Sequence, residues 1–223
     1  MSVSMLSACV SDQVKLTEDM LYNKYNEKFK VKLIENEIFM GSDSSFEAVC
    51  CPVDDKDIVF QALVFSDGSK MNDDYNEALL GNEMKKIVDK YIEPISTEYR
   101  VLIDFSSIAD DYEKGMSASS YNNSHNTRCY TVIAIDVFKC ADFTPEQLYS
   151  SLQNICRDYG KTNGGMCLYL VDSDELIEIG NYIENHPKID SDLEQLCGDG
   201  FESIVTDGII DKGIDDMVKA LSW

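Results

Sequence analysis

The chain has 223 residues, 44% of them apolar and 27% charged, with 12 glycines and 4 prolines; this is globular composition for one large or two small domains, and it excludes a disordered or collagen-like chain. No apolar run is long enough to span a membrane. Its 41 acidic and 19 basic residues leave a net charge of −22, which opposes binding to nucleic acid or an anionic membrane, because each phosphate contacted needs a Lys or Arg.

In chain order, Leu6-Ser7-Ala8-Cys9 has the form of a bacterial lipobox. A secretory signal needs a basic start and an apolar stretch, and Met1–Met5 supplies neither. The location expected is therefore cytoplasmic, with a lipid anchor at the cell envelope through Cys9 as the alternative if a signal segment is missing. Thr17 stands before Glu18 and Asp19 as an N-cap before first-turn acids. Leu16, Met20, Leu21 and Tyr25 recur at helical spacing, so a helix is predicted over 17–26. Phe29, Val31 and Leu33 alternate with Lys30 and Lys32, a half-buried strand. Gly41–Ser44 is a predicted turn, Phe46–Cys51 a second strand ended by Pro52, and Ile58–Phe65 a third. Short links between the three favour an antiparallel meander. Asp73 and Asp74 open a long helix whose predicted buried face is Tyr75, Leu79, Leu80, Met84, Ile87, Val88 and Tyr91, and Pro94 ends it. Arg100–Phe105 is the next strand.

Residues 106–128 are polar and aperiodic, and read as a loop or junction. Cys129–Phe138 is a β-branched run suited to a central strand. Thr144-Pro145-Glu146-Gln147 is the clearest local signal in the chain, with Thr as N-cap, Pro at the first helical position and Gln completing a capping box. Leu148, Leu152, Ile155, Cys156 and Tyr159 follow on one helical face, and Gly160 ends that helix. Asn163-Gly164-Gly165 reads as a turn into a strand over 166–171. Ser173 is the predicted N-cap of a helix with Leu176, Ile179, Gly180 and Ile183 facing inward. If the two strands are parallel, the connection between them takes a right-handed crossover. A short helix near 192–197, a strand near 201–205 and a helix near 214–221 complete the chain.

The chemical motifs are mostly negative. The eight cysteines include no C-x-x-C pair, and His125 and His186 are the only histidines, so no zinc-ligand spacing exists. Cys50, Cys129, Cys156 and Cys167 lie in apolar runs, which predicts buried free thiols and a reducing compartment. Gly160-Lys161-Thr162 resembles the end of a phosphate-binding loop. It lacks the earlier glycine, however, and has a helix before it and a strand after it, the reverse of what phosphate binding needs. Asp67, Asn72, Asp73 and Asp74, and again Asp172, Asp174 and Glu175, stand at strand–helix corners, where capping is the ordinary role of acids. His125 lies near Ser119, Ser120, Ser124 and Asp110 in the polar loop, the one place where a hydrolase set is conceivable. No strained Gly-x-Ser-x-Gly turn accompanies it.

Leu21-Tyr22-Asn23-Lys24-Tyr25-Asn26-Glu27-Lys28-Phe29-Lys30-Val31, and later Phe65-Ser66-Asp67-Gly68-Ser69-Lys70 with Asp74-Tyr75, resemble two markers of a loosely defined set of uncharacterised Gram-positive bacterial proteins. The first marker is a helix ending in Lys-Tyr-Gly before a Phe-containing strand. The second is a strand, an Asp-Gly turn and Asp-Tyr entering a helix. Asn26 replaces the usual Gly. The resemblance covers about residues 14–105. Some members of the set are predicted lipoproteins, and the resemblance implies no activity and no site residues.

The sequence thus predicts an α+β fold: an antiparallel meander flanked by helices in an α-β-β-β-α-β half over 1–105, a polar loop or junction over 106–128, and a β-α-β-α half over 129–223. The halves form one compact unit or two closely packed domains. Residues 172–223 carry 14 acids against Lys188, Lys212 and Lys219, half the net charge in the last quarter of the chain. The function expected is a non-catalytic acidic interaction module that binds a basic partner protein, as an immunity or inhibitor protein would bind a basic toxin or nuclease. Its expected face comprises Asp172, Asp174, Glu175, Glu178, Asp190, Asp192, Glu194, Asp215 and Asp216. No catalytic residue, cofactor or metal is assigned. The alternatives are an envelope-anchored lipoprotein and a hydrolase using His125.

Overall fold

The computed structural model describes residues 3–40, 43–106, 111–141, 143–186 and 188–221, with the backbone alone at 3–9, 35–40 and 43. The chain divides into two compact units, Met1–Ala78 and Leu79–Trp223, each built on its own sheet. The fold is α+β, with an all-antiparallel sheet in the first unit and a mixed sheet with helices in the second.

The first unit contains α1 (Val3–Tyr25), β1 (Phe29–Met40), β2 (Asp43–Pro52), β3 (Phe60–Phe65), β4 (Met71–Asp73) and the start of α2 (Tyr75–Ile92). The four strands form the expected meander in the order β1-β2-β3-β4, every neighbour antiparallel. Two boundaries differ from expectation. The first helix begins at Val3, and Thr17 lies in its interior; the Thr17 hydroxyl donates to the Gln13 carbonyl at 2.9 Å, so a residue that reads as a cap is satisfied one turn back instead. Asp43 and Ser44, expected in a turn, already belong to β2, while Gly41 and Ser42 lie outside the described residues. β4, too short to show a period, was not legible in the sequence.

The core of this unit is aromatic. Phe29 meets Phe60 at 5.6 Å and Tyr75 at 5.1 Å, both edge to face, and Tyr25 meets Tyr75 at 4.6 Å. Such geometry places ring edges on ring faces and adds to the gain from burial. Polar partners close the cluster. The buried Asp73 carboxylate accepts from the Tyr25 hydroxyl and from the Lys24 ammonium at 2.8 Å, and the Tyr75 hydroxyl donates to Glu27 at 2.8 Å. Phe29→Ala empties the centre of this cluster and is expected to cost about 3–5 kcal/mol, read by urea unfolding; a loss under about 1 kcal/mol contradicts the packing described.

The second unit carries the rest of α2, then β5 (Tyr99–Phe105), α3 (Ala118–His125), β6 (Thr127–Asp136), α4 (Pro145–Tyr159), β7 (Thr162–Val171), α5 (Ser173–Asn185), α6 (Ser191–Cys197), β8 (Phe201–Thr206), β9 (Ile209–Ile210) and α7 (Ile214–Ala220). The sheet order is β5-β6-β7-β8-β9, with β6 and β7 parallel and every other pair antiparallel. β5, which its place in the chain groups with the elements before it, pairs along its length with β6. Part of the expected 106–128 loop is α3, started by Ser117, whose side chain accepts from the Ser120 amide.

Helices cover both faces of this sheet, which is why Val132, Ile133, Ala134 and Ile135 of β6 are all buried. On one face α5 and α6 set Leu176, Ile179, Leu193 and Cys197 against Leu102, Val132, Ala134, Tyr169 and Val171. Strand side chains alternate, so Cys129, Thr131, Ile133 and Ile135 point the other way. On that side lies α4, with its Cys156 beside Cys129. The Asn122 amide donates to the Tyr159 carbonyl at 2.8 Å and joins α3 to α4. α7 packs on α4 and β8 on the same side, with the Tyr149 hydroxyl donating to the Lys212 carbonyl at 2.9 Å.

The expected turn at Asn163-Gly164-Gly165 is the beginning of β7. Gly164 has φ +140°, and a Cβ there would stand 1.8 Å from the Cys129 carbonyl oxygen. Glycine here permits the close approach of two strands, not a reversal of the chain.

Candidate functional site

The acidic layer is built by helix capping. Asp172, not the expected Ser173, is the N-cap of α5: its carboxylate accepts from the Glu175 amide at 2.8 Å, and Glu175 accepts from the Asp172 amide at 2.9 Å, a reciprocal pair that leaves Ser173 as the first helical residue. Asp190 caps α6 and accepts from the Asp192 and Leu193 amides at 3.1 and 3.0 Å. It also receives the Tyr182 hydroxyl at 2.6 Å. That hydroxyl and the two amides hold the Asp190 carboxyl below the usual carboxylate range, while burial and then Asp190 itself push the Tyr182 phenol up to about 12. Asp174, Glu178, Asp192 and Glu194 lie on the outer surfaces of the same two helices, exposed like the capping acids.

Seven of the nine expected carboxylates therefore share one layer, α5–α6. Asp215 and Asp216 do not join them. They open α7, where Asp216 accepts from the Gly213 amide at 3.2 Å, and α7 lies with α4 on the opposite face of the sheet. Proximity in sequence groups these two with the rest, and the topology separates them.

His125 is engaged at both ring nitrogens. Nδ1 lies 3.0 Å from the Tyr121 carbonyl, Nε2 lies 3.0 Å from Asp111, and the ring stacks on Tyr121 at 4.1 Å. The Tyr121 hydroxyl donates to the same Asp111 at 2.7 Å, and this bond first, then the His125 charge, lowers the Asp111 carboxyl. Ser124 donates to the Ser120 carbonyl at 2.7 Å. In this arrangement neither imidazole nitrogen faces a serine, and general-base activation needs that contact. Asp110 lies outside the described residues.

Gly160-Lys161-Thr162 sits in the turn from α4 to β7, and its amides are already used. Gly160 donates to the Arg157 carbonyl, Lys161 to the Asn123 side chain at 3.0 Å, and Thr162 to the Gly160 carbonyl. A phosphate cradle needs such amides free. Beside the turn is an open concavity of ≈ 390 Å³ lined by Asn123, Arg157, Lys161, Asp207 and Ile209, among others. The guanidinium of Arg157 is shared with Asp158 and Tyr91.

The described cysteines are all free. Burial pushes the thiols of Cys50, Cys129, Cys156 and Cys197 up to about 12 and that of Cys167 to about 11, so they are packing groups and poor nucleophiles. The side chain of Cys9 lies outside the described residues. Asp67 and Asp73 do local work: Asp67 accepts from the Ser69 amide at 2.9 Å, and Asp73 from the Tyr75 amide at 3.3 Å. Among the described residues no three His, Cys, Asp or Glu converge as metal ligands, and no helix is long and apolar enough to cross a membrane.

No family model matches the chain, and no curated protein does. Among solved structures it is similar to a DUF5037 family protein from Ruminococcus gnavus ATCC 29149, with 16% identity over 94% of this chain and 98% of that chain and a TM-score of 0.72. At that identity the likeness is one of fold. It agrees with the resemblance to uncharacterised Gram-positive bacterial proteins carried by residues 14–105.

One charge cluster outside the acidic layer gives a pH signature. Asp158 accepts from the Tyr91 hydroxyl at 2.6 Å and from Lys90 at 2.9 Å, which pulls its carboxyl down to about 2. Its folded value lies below the unfolded value of about 3.9, so its stabilising effect is complete above about pH 5 and drains away as the pH falls toward 2. Asp158→Asn is expected to lower stability by about 0.5–1 kcal/mol at neutral pH, solvent screening included. The gap to wild type narrows on acidification, as read from urea midpoints across pH; a gap that widens contradicts the assignment.

Proposed function

We propose that the protein is a non-catalytic acidic interaction module that binds a basic partner protein through the α5–α6 layer. The observation that carries this reading is the gathering of seven exposed carboxylates on two helices packed side by side on one face of the second sheet. A surface of that kind raises the encounter rate with a cationic partner and rejects anionic ones. It needs no reactive group, in keeping with the raised thiols and the occupied His125 ring. An immunity or inhibitor protein that neutralises a basic toxin or nuclease works in this way. The reading goes with a cytoplasmic location, where the free thiols stay reduced.

The test uses Asp174→Asn, Glu178→Gln, Asp192→Asn and Glu194→Gln together, none of which caps a helix. Immobilised wild-type protein is expected to retain a basic probe protein, cytochrome c, at low ionic strength and to release it at high. The four-fold variant should bind it at least about fivefold more weakly with its melting temperature little changed. Retention that ignores both salt and the substitutions contradicts the proposal.

A further inference from the structure

The second sheet is only half covered on its α5–α6 face. Val132 of β6 and Cys167 of β7 are partners in the ladder and pack beneath those helices. Two residues nearer the start of each strand, the same face carries Tyr130, Gly165 and Ile204 in one rank across β6, β7 and β8. Here the helices have ended. Tyr130 is 48% exposed and Ile204 62% exposed. Among the described residues nine large apolar side chains are strongly exposed, and these two stand in one rank of the sheet. Gly165 is part of the arrangement, since a Cβ there would stand 2.7 Å from the Tyr130 ring, which therefore lies across the glycine.

The rim of the patch is acidic where the helices border it. Asp104 stands opposite Tyr130 in the ladder, and its carboxylate accepts from the Ile189 amide at 3.1 Å, one residue before the α6 cap Asp190. Glu202 lies on the same face of β8, with the Tyr169 hydroxyl 3.2 Å away. Glu202 and Glu194 both stand near enough to the Cys167 thiol to raise it, after burial, while Lys212 acts the other way. Arg128 lies at the far end of the face. An aromatic and aliphatic centre with charge kept to its edge is the anatomy of a protein interface, and Tyr is favoured at the anchor positions.

We propose that this open half-face is where the basic partner seats. Resting on the function proposed above, the inference adds the chemistry of the occupant: a protein segment with an apolar side chain over Tyr130 and Ile204 and Lys or Arg directed at Asp190, Glu194 and Glu202. Charge complementarity selects this occupant, because among the described residues the helix side of the patch carries Asp104, Asp190, Glu194 and Glu202 against Lys188 and Lys212.

Two fluorescent peptides of equal positive charge test it by anisotropy, an amphipathic Lys/Leu helix and a Lys/Ser control. Wild-type protein is expected to bind the Lys/Leu peptide about tenfold more tightly than the control. Tyr130→Ser with Ile204→Thr should abolish that preference while weak, salt-sensitive binding of both peptides remains. Ile204→Lys, a change at an exposed position, should do the same if the double variant fails to fold. A preference that survives these substitutions overturns the docking site, and if Glu194→Gln with Glu202→Gln still weakens both peptides the acidic reading stands without it. Binding of neither peptide at low salt overturns both. A dimer in sedimentation that Ile204→Lys dissolves makes a second copy the occupant and also overturns the proposal.

Discussion

Two neighbouring parallel strands cannot be joined by a tight turn, and the organisation of the second unit follows from that constraint. β6 and β7 run parallel for their whole length, so the chain between them must leave one end of the sheet and return to the other. α4 makes that return on the Cys129–Ile135 face, where its apolar stripe of Leu148, Leu152, Ile155, Cys156 and Tyr159 is buried. The opposite face is left to α5 and α6, whose inner sides complete the second core layer. Each of these helices needs a capped start and an outer surface in water, and in both the residues that meet those needs are mainly aspartate and glutamate. Charge is thereby sorted by topology as well as by sequence.

The same constraint explains why the patch is open. α5 and α6 are short and cover the end of the sheet near Val132, Ala134 and Val171. Among the described residues the other end of that face carries no helix, and Tyr130 and Ile204 are left exposed beside the acids. Scattered exposed apolar residues need no account, but two flanking a glycine on one rank of a sheet do. The affinity of such a surface divides naturally in two. Carboxylates set the rate and the salt dependence of encounter, and the apolar centre sets how long the complex lasts.

Much of the fold was legible because it is encoded locally. Thr144, Pro145 and Gln147 announce α4, and the five residues read as its inner face are the five that are buried. The meander followed from alternation and short links, and the ends of α6 and β8 were placed within a residue or so. What failed was non-local. Thr17 has the chemistry of a cap, yet a helix that begins at Val3 runs through it. Gly164 and Gly165 read as a turn, because nothing in their own neighbourhood shows that Cys129 and Tyr130 will lie against them. The partner of β5 and the separation of Asp215 and Asp216 from the other acids likewise depend on strand order. The patch itself was invisible in the sequence, since Tyr130, Gly165 and Ile204 are brought into one rank only by the register of three strands.

The central claim is that a basic protein seats on the α6 side of the half-covered face. Nuclear magnetic resonance of the isotope-labelled chain, titrated with the Lys/Leu peptide, tests it most directly. The account predicts shifts concentrated at the amides of 128–131, 163–166, 190–194 and 202–206, with α4 and α7 silent. Shifts that instead centre on α4, α7 or the concavity beside Lys161, with those four segments unmoved, contradict it.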